Sequence, residues 1–155
     1  VSAESTATTA EGMIEEGKRL AALAPNIVVK LPVCEAGLAA CRALADAGVR
    51  VNMTLVFSPT QALMAANAGA RYISPFVGRF DDIAEDDWTG KNVDDTVEII
   101  TASVRTPNHV TQAALLGADI ATVPMAALKK CLHHPLTDQG LASFEADWQK
   151  VVAQA

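Results

Sequence analysis

Apolar residues come in short runs along this chain, and each run is fenced by residues that turn the backbone. Ile27-Val28-Val29-Lys30-Leu31 lies between Pro25-Asn26 and Pro32. A run this short, apolar at nearly every position, predicts a strand covered on both faces, as in a parallel sheet. Similar runs predict strands over Arg50–Phe57, Tyr72–Val77, Val97–Val104 and Asp119–Val123, and Val1–Glu4 reads as the tail of another. Pro75 counts against 72–77, because proline cannot donate to a ladder.

Helical spacing fills the intervals. Thr8-Thr9-Ala10-Glu11 offers a capping box, with Thr8 as N-cap and Glu11 at N3. It precedes an apolar face of Met13, Ile14, Leu20 and Leu23 that runs to Ala24. Glu35–Ala47 is an alanine-rich helix closed by Gly48. Ser58-Pro59-Thr60-Gln61 sets an N-cap serine, a proline at N1 and a glutamine at N3 before a helix that ends at Gly69. Thr106-Pro107 opens a helix the same way, and Gly117 closes it. Met125–Leu132 is a short helix. A final helix starts near Thr137 or Asp138 and carries Leu141, Phe144, Trp148 and Val151 on one side.

Strands alternating with helices mean βαβ units and a parallel sheet. A weak repeat marks the returns from helix to strand: Ala47-Gly48-Val49-Arg50-Val51, Ala68-Gly69-Ala70-Arg71-Tyr72 and Leu116-Gly117-Ala118-Asp119-Ile120. Its glycines stand 21 and then 48 residues apart, so one more unit belongs in the second gap. The strand over 97–104 supplies part of it. Asp81–Asp95 is acidic, contains Gly90 and shows no apolar stripe of helical length, so either this unit lacks its helix or two non-adjacent pieces are joined here.

At 155 residues, half of them hydrophobic and 19% charged, the chain is one domain with a sizeable core rather than a disordered segment. A net charge of -6 without a lysine-arginine run excludes nucleic acid and anionic membrane surfaces as partners, and any phosphate site must be a local cluster. No apolar stretch approaches the roughly 20 residues of a membrane span, and no signal peptide is visible at Val-Ser-Ala-Glu. Cys34, Cys41 and Cys131 are an odd number that suits a reducing compartment such as the cytoplasm. Cys34 and Cys41, seven apart, read as small core residues. His133 and His134 are adjacent, which is no metal-ligand spacing, and no metal site or cofactor is expected.

The lysine in the 27–31 run is the first chemical signal. Desolvation lowers a lysine pKa toward the range where the free amine is a nucleophile. The competing reading is that Lys30 sits at the rim and its stem snorkels to water. Its company weighs against that. By strand alternation, Asn52 and Thr54 lie opposite Met53, Leu55 and Phe57. Ser74 and Phe76 lie opposite Ile73, Pro75 and Val77, and Thr101, Ser103 and Arg105 lie opposite Ile100, Ala102 and Val104. Each strand thus has an apolar side and a side with polar groups near its C-terminal end. Polar residues converging there, with helices outside, make the active-site layout of a (β/α) barrel. An open doubly wound sheet is the alternative, but it normally carries a glycine-rich first turn, and no G-x-G-x-x-G is present.

The chemistry fits a Schiff base. An amine nucleophile needs a partner that moves protons while a carbinolamine forms and dehydrates. Glu4, at the end of the first strand fragment, is the candidate, and Thr54 can hold a water between them. Arg79, Arg105 and Ser103 can bind a phosphate through guanidinium forks and a hydroxyl, although either arginine alone is more often a surface residue.

At these residues the chain resembles the transaldolase family, in its short-chain transaldolase and fructose-6-phosphate aldolase-like branch. The motifs are Val1-Ser2-Ala3-Glu4, Ile27-Val28-Val29-Lys30-Leu31-Pro32, Val51-Asn52-Met53-Thr54-Leu55-Val56-Phe57-Ser58, Ser74-Pro75-Phe76-Val77-Gly78-Arg79, Ala102-Ser103-Val104-Arg105 and His134-Pro135-Leu136-Thr137-Asp138-Gln139-Gly140-Leu141. The resemblance implies an α/β fold, a (β/α)8 TIM barrel of the class I aldolase type, working without a cofactor in the pentose phosphate pathway. Lys30 matches the Schiff-base lysine. Glu4 and Thr54 match the pair that positions the catalytic water. Asn52 and Ser74 match residues that hold the dihydroxyacetone unit, and Arg79, Ser103 and Arg105 match the phosphate-binding group. Phe76 and Glu4 stand where the aldolase branch has tyrosine and glutamine, which favours transaldolase over aldolase. The implied substrates are sugar phosphates such as sedoheptulose 7-phosphate and glyceraldehyde 3-phosphate.

Two departures set further expectations. Only six of the eight strands are represented. The first two βα units, which carry a catalytic aspartate and a substrate-binding asparagine and threonine, have no counterpart here. The chain is therefore expected to be part of a longer protein, a single incomplete barrel domain over 1–155, with a join near Gly90–Lys91 wider than the ~3.8 Å of a trans peptide. The alternatives are an aldolase and an inactive barrel fragment. The family forms ring-shaped homo-oligomers, a pentamer or decamer, and the helix over 137–155 is expected on a neighbouring subunit or on its own barrel.

Overall fold

The structure, a computed structural model, describes residues 1–76 and 97–153. Arg79, the helix sought over 81–95 and the join expected at Gly90–Lys91 lie outside the described residues. Six parallel strands alternate with helices: β1 Ser2–Glu4, β2 Val28–Pro32, β3 Val51–Val56, β4 Tyr72–Pro75, β5 Glu98–Thr101 and β6 Ile120–Ala121. The helices are α1 Ala10–Ala21, α2 Glu35–Asp46, α3 Pro59–Asn67, α4 Pro107–Leu115, α5 Met125–Cys131 and α6 Pro135–Val152. Spatial order equals chain order, β1 to β6, and residues from β1 and from beyond β6 line one cavity. This is the curved wall of a partial (β/α) barrel, six strands wide among the described residues.

One face of the wall packs on helices. Val29, Leu31, Val51, Met53, Ile73 and Ile99 meet Met13 of α1, Ala40, Cys41 and Leu44 of α2, and Ala62 and Ala65 of α3 in one buried cluster. Each fully buried Leu or Met side chain here contributes about 1.5–3 kcal/mol. The helices come close because small residues face the sheet. Gly17 of α1 lies against Leu44 and Val29, where a methyl group would sit 2.7 Å and 3.2 Å from their side chains. Burial pushes the Cys41 thiol up to about 12.

Several local readings need correction. The N-cap of α1 is Thr9, not Thr8: its hydroxyl accepts from Gly12 N–H at 3.2 Å, so N3 is a glycine and the capping box is not made. The helix stops at Ala21, which leaves Leu23 exposed. Cys34 is not a core residue. It is the exposed N-cap of α2, its sulfur accepting from Gly37 N–H. The Ser58 cap forms as expected, while the Gln61 side chain accepts from Phe57 N–H at 2.8 Å. The last helix starts at Pro135, because the His134 carbonyl accepts from Thr137 and Asp138. Leu141, Phe144 and Trp148 along it are 62%, 74% and 59% exposed, so these side chains do not bury themselves on the described part of their own barrel.

The link from β2 to α2 leaves no room for a side chain. A Cβ at Gly37 would stand 1.9 Å from the Pro32 carbonyl oxygen, and a backbone atom cannot yield. Gly37→Ala is expected to destabilise the fold by about 3 kcal/mol. The shift in urea midpoint measures it, and a variant as stable as the parent would show that β2 and α2 can separate.

Candidate active site

The face of the sheet away from the helices encloses a cavity of about 360 Å³ at the C-terminal ends of the strands. Ser2, Glu4, Lys30, Asn52, Ser74, Phe76, Ile100, Ala102, Ser103 and Thr122 line it. Parallel register produces this gathering. Glu4 pairs with Lys30, and Lys30 with Asn52, so side chains of one parity from adjacent strands stand side by side.

Lys30 Nζ donates to Glu4 Oε2 at 3.0 Å. The strand beneath is buried, but the amine is not sealed in apolar surroundings: its side chain keeps 25% exposure and that of Glu4 53%. Such a pair adds at most about 1 kcal/mol to stability. Its chemical meaning is an amine beside a carboxylate that can take or return its proton.

A polar chain crosses the cavity wall beside it. Ser74 Oγ donates to Asn52 Oδ1 at 2.8 Å, and Asn52 Nδ2 donates to Ser2 Oγ at 3.1 Å. Both ends of the amide are engaged, so its donor and acceptor are fixed in direction. Thr54 lies two residues beyond Asn52 on β3, buried, and its hydroxyl has no hydrogen-bond partner among the described residues. It is not among the residues that line the cavity.

Strict alternation fails at two residues. Leu55 has φ 61°, and the β3–β4 register shifts between Met53 and Val56, so β3 carries one extra residue there. Val56 therefore joins Met53 in the core. Phe57, expected on the Met53 side, instead reaches the Phe76 ring edge-on at a centroid distance of 5.8 Å. On β5 the expected assignment inverts. Ile100 and Ala102 line the cavity, while Thr101 lies on the opposite face. Ser103 still reaches the cavity because its own φ of 59° breaks the alternation. Arg105 is exposed and is not among the described lining residues.

Three residues escaped the sequence reading. Ser2 stands two before Glu4, and that spacing could have placed it on the same face. Thr122 follows the last strand as Ser103 follows β5. Glu16, on the second turn of α1, accepts from Ser5 Oγ at 2.6 Å, Thr6 N at 2.9 Å, Ala7 N at 3.1 Å and Thr6 Oγ1 at 3.3 Å. The Ser5 hydroxyl first, then the Thr6 and Ala7 amides, hold its carboxyl below the usual carboxylate range. Among the described residues no group of three or more His, Cys, Asp and Glu could hold a metal ion, and no helix is long and apolar enough to cross a membrane.

Comparison with known proteins agrees with this arrangement. The family model described as Transaldolase/Fructose-6-phosphate aldolase matches residues 1–155. A protein of Thermus thermophilus named "Probable transaldolase" is 57% identical over 162 residues, covering 97% of this chain and 71% of its own length. Proteins of the same name from Lysinibacillus sphaericus (55% identical; 97% and 73% covered) and Desulfatibacillum aliphaticivorans (51%; 97% and 74%) are similar over the same share.

Proposed function

This chain belongs to the transaldolase/fructose-6-phosphate aldolase family of enzymes, and on that premise we propose that it is a transaldolase whose Lys30 carries a three-carbon ketol unit between sugar phosphates as a Schiff base. The observation that carries the reading is the Lys30 amine, 3.0 Å from the Glu4 carboxylate, in a concave wall lined by Asn52, Ser74 and Phe76.

The steps follow from these groups. Glu4 takes a proton from the Lys30 ammonium, and the freed amine attacks the ketose carbonyl carbon, whose oxygen takes a proton from the attacking nitrogen and becomes a hydroxyl. That hydroxyl leaves as water with a proton returned by Glu4, and the carbon–nitrogen double bond forms. The iminium withdraws electrons, so the bond between the third and fourth sugar carbons breaks as the fourth-carbon hydroxyl gives its proton to Glu4, again a carboxylate after the dehydration, and an aldose phosphate departs with the new aldehyde. The remaining three-carbon unit, held through its hydroxyls by Asn52 and Ser74, then attacks an acceptor aldehyde. The steps run in reverse to release the product. Phe76 offers no hydroxyl to protonate the waiting unit, which favours transfer over release. Ser103 and Arg105, with Arg79, take the phosphate, the arginines as bidentate forks. Cytoplasmic metabolism of sugar phosphates is the setting that fits this reading.

Borohydride added with fructose 6-phosphate is expected to reduce the imine and leave a covalent adduct on Lys30, located by mass spectrometry of peptides. An adduct on another lysine would overturn the assignment. Free dihydroxyacetone released without an acceptor would mark an aldolase instead.

Thr54 supplies a test with two readouts of different sign. A buried hydroxyl without a partner costs about 1–3 kcal/mol. Thr54→Val is expected to keep or raise stability by about 1 kcal/mol while lowering turnover about 10–100-fold, because the hydroxyl, without a partner in the resting site, binds a water only as it is gained and lost at the imine. A parallel fall of both would make Thr54 an ordinary packing residue. The exposed apolar face of α6 supports a homo-oligomeric ring in which Leu141, Phe144 and Trp148 pack on the next copy. Sedimentation of a chain cut before Thr137 is expected to show smaller species, and unchanged assembly would place the contact elsewhere.

A further inference from the structure

The four residues between Glu4 and the cap of α1 are fastened at both ends. Ser5 N–H donates to the Lys30 carbonyl at 3.1 Å, so the backbone of the lysine holds the residue next to the glutamate. From the other side the Glu16 carboxylate gathers the Ser5 and Thr6 hydroxyls and the Thr6 and Ala7 amides. Ser5 Oγ also accepts from Ala7 N–H at 3.3 Å, and Ser5 itself is buried. A carboxylate serving four donors is an anion clamp on the turn. The turn needs it, because β1 is only three residues long and ends at Glu4.

We propose that Glu16 is a positioning residue that keeps the Glu4 carboxylate within reach of the Lys30 amine through the proton transfers. This rests on the reading of Lys30 and Glu4 given above. Glu16 touches neither the amine nor the cavity, and acts only through the Glu4–Ala7 turn. The glutamine isostere cannot do the same work. It retains one acceptor oxygen and turns an NH2 donor toward groups that are themselves donors.

The test compares the full-length parent with Glu16→Gln, at a temperature where circular dichroism shows both folded. Turnover with a ketose phosphate and an acceptor aldehyde is expected to fall between about 10-fold and 100-fold, with KM within about twofold, and the rate of borohydride trapping at Lys30 to fall in step. In a Glu4→Gln background the same change is expected to have almost no further effect, because the clamp then positions nothing. Turnover unchanged while the melting temperature drops would reduce Glu16 to an anchor for α1 and overturn the proposal, as would a full second loss in the Glu4→Gln background. Should Glu16→Gln fail to fold, Ser5→Ala, which removes the 2.6 Å bond to Glu16 and the 3.3 Å bond from Ala7 N–H but leaves the Glu16 carboxylate on the Thr6 and Ala7 amides, decides by the same measures. A parent that gives no adduct at Lys30 overturns the clamp and the Lys30 assignment together. An adduct at Lys30 in the parent with unaltered Glu16→Gln kinetics overturns the clamp alone.

Discussion

Lys30→Arg is expected to lower turnover at least about 10⁴-fold and to abolish borohydride trapping, the scale seen when a covalent nucleophile is removed. Arginine separates charge from chemistry. Its guanidinium stays protonated at every accessible pH and so has no lone pair to give a carbonyl carbon. It keeps the positive charge and can still reach the Glu4 carboxylate. The lysine it replaces holds a partly exposed ion pair worth at most about 1 kcal/mol, so the thermal midpoint should move little. Folded protein without adduct or turnover is the expected pair of results. Turnover within about tenfold of the parent would remove the imine from the mechanism, since no second lysine is among the described residues that line the cavity.

Glu4→Gln should have the next largest effect, a fall in turnover of about 10²–10⁴-fold. The amide oxygen can still accept from the Lys30 amine across the same 3.0 Å, so the lysine stays in place and KM should hardly change. What is lost is a group that can carry a proton. Trapping should slow in proportion, because both addition and dehydration pass a proton through this position. A variant with normal turnover and raised KM would recast Glu4 as a substrate anchor.

Much of this was legible in the sequence, for identifiable reasons. The alternation of apolar runs with capped helices gave the strand order, because parallel βαβ units leave few other topologies. Residue parity gathered Asn52, Ser74 and Phe76 at one cavity, because a two-residue period is set by backbone geometry alone, and the lysine in an apolar run with a glutamate at a strand end picked out Lys30 and Glu4 beside them. It failed where the backbone departs from that geometry. Leu55 and Ser103 both adopt positive φ, and neither residue type advertises it as glycine or asparagine would. Phe57, Ile100, Thr101 and Ala102 were misplaced for that reason. The cap of α1 was misread by one position because two threonines compete for it, and the glutamate at one spacing outweighed the glycine at the other. Glu16 was missed because a glutamate on an amphipathic helix looks like any solvated charge until the preceding turn is seen folded onto it.

Cys41 lies at the centre of the helix–sheet layer, while Cys34 and Cys131 are exposed. Only a thiolate reacts readily with alkylating reagents, and burial that lifts the thiol to about 12 keeps Cys41 protonated. Two sulfurs per chain thus take up label at once, and the third waits for α2 to lift from the sheet. The molecule carries its own stopwatch for core opening, read by counting added masses over time.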